Sequence, residues 1–303
     1  MPVSRIQLSP DGPSFSRFVM GYWRLMDWGL STNALVDFIQ AGIELGITTV
    51  DHADIYGSYR VEARFGEALA RAPDVREQIE IVTKCGIALV DPERPHHCIK
   101  HYDTSAAHIQ ASVERSLRNL HTDYVDLLLI HRPDPLMDAD QVAEAFVTLQ
   151  AAGKVRHFGV SNFSPRQLEL LQSRLPFPLV TNQLELSPYN LAPLWNGALD
   201  QCQQRRIAPM AWSCLGGGRL FKGHDSVSER LRRVLGELSA ELDGPSPEQL
   251  VYAWVMAHPS HPLPLLGSQH LDRVRHAIDA ETVQLNRQQW FQILQAAAGK
   301  EVA

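Results

Sequence analysis

Eight short apolar segments recur along the chain, and amphipathic segments separate them. One of these, residues 105–120, places Ile109, Val113 and Leu117 at helical spacing, and Thr104 stands where a helix cap is expected. The predicted strands are Arg17–Met20, Thr48–Asp51, Ile79–Lys84, Val125–His131, His157–Ser161, Leu179–Gln183, Pro209–Ser213 and Leu263–Gly267. Alternation of strand and helix repeated eight times predicts an α/β protein in which parallel strands, joined by right-handed crossovers, close as a (β/α)₈ barrel, also called a TIM barrel.

The strand segments are apolar throughout, which is typical of a sheet buried on both faces. A doubly wound open sheet is the alternative, but it needs a G-x-G-x-x-G turn after the first strand, and residues 20–24 do not supply one. Upstream, Arg5–Leu8 and Ser14–Arg17 flank the turn sequence Ser-Pro-Asp-Gly-Pro, which predicts an N-terminal β-hairpin closing the barrel bottom. We expect residues 1–303 to form one domain.

Composition and charge exclude several classes of function. With 45% apolar residues the chain can bury a large core, and its net charge of −6 argues against nucleic acid or an anionic membrane as a partner. No apolar stretch approaches the roughly 20 residues of a membrane helix, and the N-terminal segment lacks the apolar region of a signal peptide. The four cysteines show no C-x-x-C spacing, so we expect reduced thiols and a cytoplasmic protein.

Two intervals between predicted strands are longer than the others, and each begins at the carboxyl end of a strand. These insertions span 86–103 and 216–247. Because the active site of a barrel forms at the carboxyl ends of its strands, both insertions are candidate lids over a substrate or a cofactor.

Four chemically active side chains stand at or near predicted strand ends: Asp51, Tyr56, Lys84 and His131. Reducing a carbonyl requires a proton for the developing alkoxide, and Tyr56 can supply it. A free phenol, with a pKa of about 10, is a reluctant acid near neutrality, but an adjacent Lys84 ammonium would stabilise the phenolate. Asp51 can hold Lys84 in place, and His131 can polarise the carbonyl oxygen.

Each of these residues also has a purely structural interpretation. An Asp or His that ends a barrel strand often only satisfies backbone groups at the rim, and a loop tyrosine often only packs. All four at one rim favour a function, and the hydride would then come from a cofactor.

The chain resembles the aldo-keto reductases over nearly its full length, and within them a bacterial branch of oxidoreductases similar to YdhF. The matching segments are Thr49-Val-Asp-His-Ala-Asp-Ile-Tyr-Gly57, Ile81-Val-Thr-Lys-Cys85, Asp123-Tyr-Val-Asp-Leu-Leu-Leu-Ile-His131 and Lys154-Val-Arg-His-Phe-Gly-Val-Ser-Asn-Phe163. The resemblance implies an NADPH-dependent reductase of aldehydes or ketones. It also implies that Tyr56 is the general acid and that Lys84, Asp51 and His131 assist it.

The resemblance further implies a cofactor site without a Rossmann fold. Ser161, Asn162 and Gln183 match residues that hold the nicotinamide amide, and Trp212 matches the aromatic residue that stacks on its ring. The following loop matches the pyrophosphate site through Ser213, Leu215 and Gly217. The family usually has proline at position 214, where this chain has cysteine.

The segment after the eighth strand matches the site of the adenosine phosphate, through Gly267, Ser268, Gln269 and Arg273. Arg273 can hold a 2′-phosphate with two hydrogen bonds, which favours NADPH. Many relatives have a lysine at position 267 and a Glu-Asn pair at 276–277, where this chain has glycine and His-Ala. NADH therefore remains possible.

Trp23 and Tyr59 are candidates for the substrate pocket, and the expected partner is a small-molecule carbonyl compound bound by a monomer or a weak homo-oligomer. We expect no metal, although His96, His97, Cys98 and His101 cluster in the first insertion, since their spacing matches no standard zinc pattern. Two other functions stay open. One is a cofactor-binding regulatory subunit with little turnover, and the other is a metal-dependent barrel hydrolase.

Overall fold

The computed structural model describes residues 2–303, and its strands and helices alternate along the chain. The strands are β1 (Arg5–Gln7), β2 (Ser14–Ser16), β3 (Val19–Gly21), β4 (Thr49–Asp51), β5 (Glu80–Cys85), β6 (Ile87–Ala88), β7 (His101–Tyr102), β8 (Val125–Ile130), β9 (Val155–Ser161), β10 (Asn182–Glu185), β11 (Met210–Trp212) and β12 (Leu263–Leu266). Eight of them close a parallel barrel in the order β10-β11-β12-β3-β4-β5-β8-β9. The predicted (β/α)₈ barrel is confirmed.

Helices cover the outside of the barrel. They are α1 (Thr32–Glu44), α2 (Val61–Arg71), α3 (Ala106–Leu120), α4 (Ala139–Ala151), α5 (Pro165–Gln172), α6 (Ala192–Trp195), α7 (Ala198–Arg205), α8 (Arg219–Lys222), α9 (Ser226–Glu241), α10 (Pro247–Met256), α11 (Leu271–Ile278) and α12 (Arg287–Ala298). Within residues 2–303, no helix combines the length and apolarity needed to cross a bilayer.

Every predicted barrel strand is present, and the largest displacement is at β10, which starts at Asn182 rather than Leu179. The predicted cap of α3 was wrong by one residue. Ser105 Oγ accepts the backbone N–H of His108, whereas the Thr104 hydroxyl donates to Asp134 at 2.8 Å. Both candidates are hydroxyl residues, so the sequence pattern alone does not separate them.

The N-terminal hairpin closes the end of the barrel opposite the carboxyl ends of the strands, as predicted. Strands β1 and β2 pair antiparallel, and Leu8, directly after β1, and Phe15, in β2, are fully buried against interior residues of the barrel. Ser16 N–H donates to Thr49 Oγ1 at 3.0 Å, and Ala208 N–H donates to the Leu8 carbonyl at 2.8 Å. The interior is therefore filled from below, and the opposite rim is left for a site.

Both insertions lie at the rim of the barrel that carries the strand carboxyl ends. The first forms the short antiparallel pair β6–β7, and the second contains α8 and α9. That residues 1–303 form one domain stays a prediction.

Candidate active site

The barrel brings the four predicted catalytic residues to one rim. Asp51 is the last residue of β4, Lys84 is the penultimate residue of β5, and His131 directly follows β8. Tyr56 lies in the loop after β4 and is partly exposed, whereas the other three are buried. Because parallel neighbouring strands end at the same edge, their last residues converge.

Lys84 is the centre of this group. Its ammonium donates to Asp51 Oδ2 at 2.7 Å, to the His52 carbonyl at 2.7 Å and to Tyr56 Oη at 2.9 Å. An ammonium has three N–H donors, so all of them are used. The second oxygen of Asp51 accepts from Gln183 Nε2 at 2.7 Å, which fixes the carboxylate from the opposite side of the barrel.

The environment sets the charges of these groups. Burial by itself disfavours the ammonium, but the neighbouring Asp51 carboxylate and Tyr56 oxygen outweigh burial and raise the pKa of Lys84. Burial also raises the pKa of Tyr56, although the Lys84 charge opposes the increase. The Lys84 charge thus favours the phenolate, but desolvation is the larger effect and leaves the phenol less acidic than a free one. Tyr56 holds its proton and Lys84 holds its charge at neutral pH.

Burial also keeps His131 neutral. Burial, reinforced by the nearby cations Lys84 and Arg132, places the pKa of His131 well below its ordinary value. Its ring centroid lies 5.8 Å from that of Tyr56, with the two planes nearly perpendicular. Its Nδ1 atom is buried without a hydrogen-bond partner in residues 2–303. A neutral imidazole keeps one N–H donor, which suits a carbonyl oxygen.

Sequence reasoning missed Arg132, which lies between the tetrad and the predicted nicotinamide residues. Its guanidinium carbon is 5.3 Å from the centroid of the Trp212 ring, and its charge acts on both Tyr56 and His131. Among residues 2–303 it has no carboxylate within ion-pair distance. Its position directly after His131, at the end of a barrel strand, was the one sequence feature that pointed to a place in the site.

Next to the tetrad, the predicted nicotinamide residues form one hydrogen-bonded group. Ser161 Oγ donates to the Gln183 carbonyl at 3.0 Å, and Asn162 Nδ2 donates to Ser161 Oγ at 2.8 Å. Trp212 Nε1 donates to Asn162 Oδ1 at 3.2 Å. Short polar groups beside a half-buried aromatic face suit a flat ring that carries an amide.

The predicted pyrophosphate loop is anchored at one end and open at the other. Ser213 has a positive φ of 59°, and Leu215 begins the turn over 216–218. Gly216 packs on the Tyr189 ring so closely that a Cβ atom would overlap it, whereas Gly217 faces open space. Arg219, the first residue of α8, is paired with Asp225 at 3.2 Å. A backbone surface without side chains suits an oxyanion group.

At the predicted adenosine end, Gly267, Ser268 and Gln269 precede α11, and Arg273 lies on that helix. Gly267 has no atom within 4 Å of where a Cβ would stand. Arg273 is exposed and has no carboxylate at ion-pair distance in residues 2–303, whereas Arg275 pairs with Asp272 at 3.1 Å. Of His276 and Ala277, which replace the family's Glu-Asn pair, His276 alone is exposed. His276 bonds to Ser246 Oγ, and Ala277 is buried.

Neither of the two predicted pocket residues forms a side-chain hydrogen bond with the tetrad or with the predicted nicotinamide residues within residues 2–303. Trp23 is 61% exposed in the loop after β3. Tyr59 faces the first insertion, where its hydroxyl accepts Leu89 N–H at 2.8 Å and its ring lies 3.5 Å from the Arg94 guanidinium carbon. Within residues 2–303, no three His, Cys, Asp or Glu side chains converge closely enough to hold a metal ion.

Comparison with known proteins identifies the family. The profile of the aldo/keto reductase family matches residues 17–298. The chain belongs to this family. It is 60% identical over 300 residues to oxidoreductase YdhF of Escherichia coli K12, covering 99% of each chain, so its place in the YdhF-like branch is confirmed.

Two further relatives extend the comparison. A 6-dehydroglucose reductase of Agrobacterium fabrum is 46% identical, covering 99% of this chain and 100% of that one. The crystal structure of the thermostable aldo-keto reductase Tm1743, a complex with the inhibitor epalrestat, superposes with a TM-score of 0.80 at 25% identity, covering 97% of this chain and 100% of that one. The protein is therefore an oxidoreductase of a family that reduces small-molecule carbonyl compounds with nicotinamide cofactors.

Proposed function

We propose that this protein reduces an aldehyde or ketone to an alcohol with NADPH, using Tyr56 as the general acid. One observation carries the proposal. Lys84 Nζ lies 2.9 Å from Tyr56 Oη and 2.7 Å from Asp51 Oδ2, inside a buried rim. This arrangement keeps a proton on the phenol before reaction and a cation beside the phenolate after it.

The proton moves from Tyr56 Oη to the carbonyl oxygen as that oxygen gains negative charge. The resulting phenolate keeps the hydrogen bond from Lys84, whose charge is held by Asp51. Tyr56 is partly exposed, so water can return a proton after each turnover. Lys84 stabilises the anion that forms and does not itself need to give up a proton.

His131 supplies a second donor to the same oxygen. Its neutral imidazole, beside the phenol, can donate one N–H to the carbonyl and stabilise the alkoxide. Two preorganised donors aimed at one developing charge lower the barrier more than either does alone, because neither must reorient during the reaction.

When bound, the nicotinamide supplies the hydride. Ser161, Asn162 and Gln183 would hold its amide, and Trp212 would stack on its ring. Ser213, Leu215 and Gly217 would hold the pyrophosphate. Gly267, Ser268, Gln269 and Arg273 would hold the adenosine phosphate. The preference for NADPH rests on Arg273, which is the cation of α11 free to bind a 2′-phosphate.

The substrate we propose is a small hydroxylated aldehyde. A relative with 46% identity is a 6-dehydroglucose reductase, an enzyme named for an oxidised sugar. Arg132 adds to this proposal, because a guanidinium at the rim without a carboxylate partner can bind hydroxyl groups of a polar substrate.

The test is the oxidation of NADPH and NADH, measured in parallel with a panel of simple and hydroxylated aldehydes. We expect turnover with NADPH and a preference for the hydroxylated compounds. Tyr56→Phe should bind NADPH as the wild type does and lose about 10²–10⁴-fold in kcat. Full activity of Tyr56→Phe would refute the assignment of the acid. Tight cofactor binding without turnover of any aldehyde would refute the proposed reductase activity.

A further inference from the structure

A cavity of about 390 Å³ lies between the first insertion and helix α3, and we call it the insertion cavity. Its walls include Tyr59, Glu93, Arg94, His97, His108 and Arg115. No residue of the tetrad and no predicted cofactor residue lines it. Its volume lies at the small end of ligand pockets, which span roughly 300–1,000 Å³.

The two arginines of the cavity have most of their donors unfilled. Their side chains are largely buried, with 16% exposed for Arg94 and 28% for Arg115. The nearest carboxylate oxygens, of Asp91 and Asp54, stand at 3.7 and 3.8 Å, beyond hydrogen-bond distance. Arg115 bonds only to Ser112 Oγ, at 3.0 Å, and the Arg94 side chain donates to no atom of residues 2–303. A guanidinium carries five N–H donors, so most of the N–H donors of Arg94 and Arg115 have no acceptor within the cavity.

The histidines of the cavity add further nitrogen atoms. His108 Nδ1 stands 3.5 Å from Asp103, while its Nε2 is buried without a partner in residues 2–303. His97 Nδ1 donates to the Leu89 carbonyl at 3.0 Å, which leaves its Nε2 as an acceptor for a hydroxyl group of a ligand. The carboxylates around the cavity are the exposed Glu93 on its wall and three aspartates, Asp91, Asp54 and Asp103, which stand 3.7, 3.8 and 3.5 Å from Arg94, Arg115 and His108 respectively.

The Tyr59 side of the cavity is held in a fixed position. The Arg94 guanidinium lies over the Tyr59 ring, and the Tyr59 hydroxyl accepts Leu89 N–H. Tyr59 and the preceding Ser58 both have positive φ, a conformation that persists only where surrounding contacts enforce it. The Arg94 guanidinium is thus preorganised against a rigid wall, which lowers the entropy cost of binding.

We propose that the insertion cavity binds a phosphate-class oxyanion at a site separate from that of the reacting carbonyl. Such an anion offers several acceptor oxygens to Arg94 and Arg115, and planar guanidinium groups bind phosphate oxygens in pairs. The remaining volume holds the organic part of a phosphorylated metabolite. The ion can therefore be free phosphate or the phosphate group of a small metabolite.

The test is calorimetric titration of inorganic phosphate into protein saturated with NADP⁺, so that the phosphate sites of the cofactor are filled. Sodium chloride at equal ionic strength is the reference. We expect saturable binding by the wild type, weakened at least about tenfold in both Arg94→Gln and Arg115→Gln, because each loses charged hydrogen bonds. The matched control is Arg118→Gln, an exposed arginine of α3 that does not line the cavity, and it should bind within about twofold of the wild type.

Absence of saturable heat from the wild type up to tens of millimolar phosphate would overturn the proposal, as would equal weakening in Arg118→Gln. Arg94 lies in the insertion, so Arg94→Gln keeps the test decisive if Arg115→Gln fails to fold. A second arm measures KM for a neutral aldehyde with and without phosphate. An unchanged KM supports a separate site, and a competitive increase overturns it. This arm rests on the proposed reductase activity, whereas the calorimetric arm does not, so the two failures are distinguishable.

Discussion

Replacing Lys84 by methionine removes three hydrogen bonds at once and leaves the Asp51 carboxylate buried with only the Gln183 amide as a partner. Breaking a buried ion pair by removing one member typically costs about 3–5 kcal/mol. Both side chains are nearly inaccessible, with 1% exposed for Lys84 and 2% for Asp51, so solvent screening does little to reduce the loss. We expect the melting temperature of Lys84→Met to fall by roughly 10 °C.

The same substitution should remove most of the activity. The phenolate of Tyr56 would form without its stabilising cation, and general acid catalysis of this kind contributes about 10²–10⁴-fold. A loss of activity in a destabilised variant is ambiguous by itself, because partial unfolding gives the same result.

A double variant separates the two causes. Adding Asp51→Asn to Lys84→Met removes the uncompensated charge while keeping an oxygen that can accept the Gln183 bond, so most of the lost stability should return. Activity should not return, because the cation beside Tyr56 is still missing. The assay pairs thermal unfolding by circular dichroism with kcat for one aldehyde under saturating NADPH. Recovery of activity together with stability would refute the catalytic role of Lys84.

Three further predictions concern the cofactor, pH and the substrate. Arg273→Gln should weaken NADPH binding at least about tenfold in a fluorescence titration and leave NADH nearly unchanged, while the control Arg275→Gln should affect neither; equal loss for both cofactors in Arg273→Gln would contradict the 2′-phosphate role. Because the pKa of His131 is lowered and that of Tyr56 is raised, the imidazole stays neutral and the phenol protonated, so kcat/KM should be flat from about pH 6 to about pH 9. A break near the ordinary histidine pKa would show that one assignment is wrong. Arg132→Met should raise KM for hydroxylated aldehydes about tenfold and change KM for propanal little, since only the former offer oxygens to a guanidinium; equal effects on both would exclude direct recognition.

The sequence predicted the barrel and the tetrad together, and the reason is geometric. Parallel strands end at a common rim, so residues that close apolar runs, such as Asp51 and Lys84, are placed by topology alone. Their exact bonds, including the Gln183 bond to Asp51 across 132 residues, depend on side-chain rotamers that no spacing encodes.

Three features of the site could not be predicted from the sequence. The pKa of Tyr56 rises because desolvation exceeds the Lys84 charge, a balance that requires the folded surroundings. Tyr59 packs toward the first insertion, and a rim position alone does not set the direction of a side chain. Arg132 gave no signal beyond its place after His131, because a lone arginine after a strand is usually solvated.

Transfer of deuterium tests the central claim most directly. The protein is incubated with NADPH deuterated at the transferring position of the nicotinamide and with the best aldehyde of the panel, and the alcohol is examined by mass spectrometry and NMR. A hydride-transfer mechanism predicts a single deuterium on the former carbonyl carbon and none on the new hydroxyl oxygen, whose hydrogen originates from Tyr56 and water. Alcohol without deuterium at that carbon, or no alcohol at all, would contradict the account.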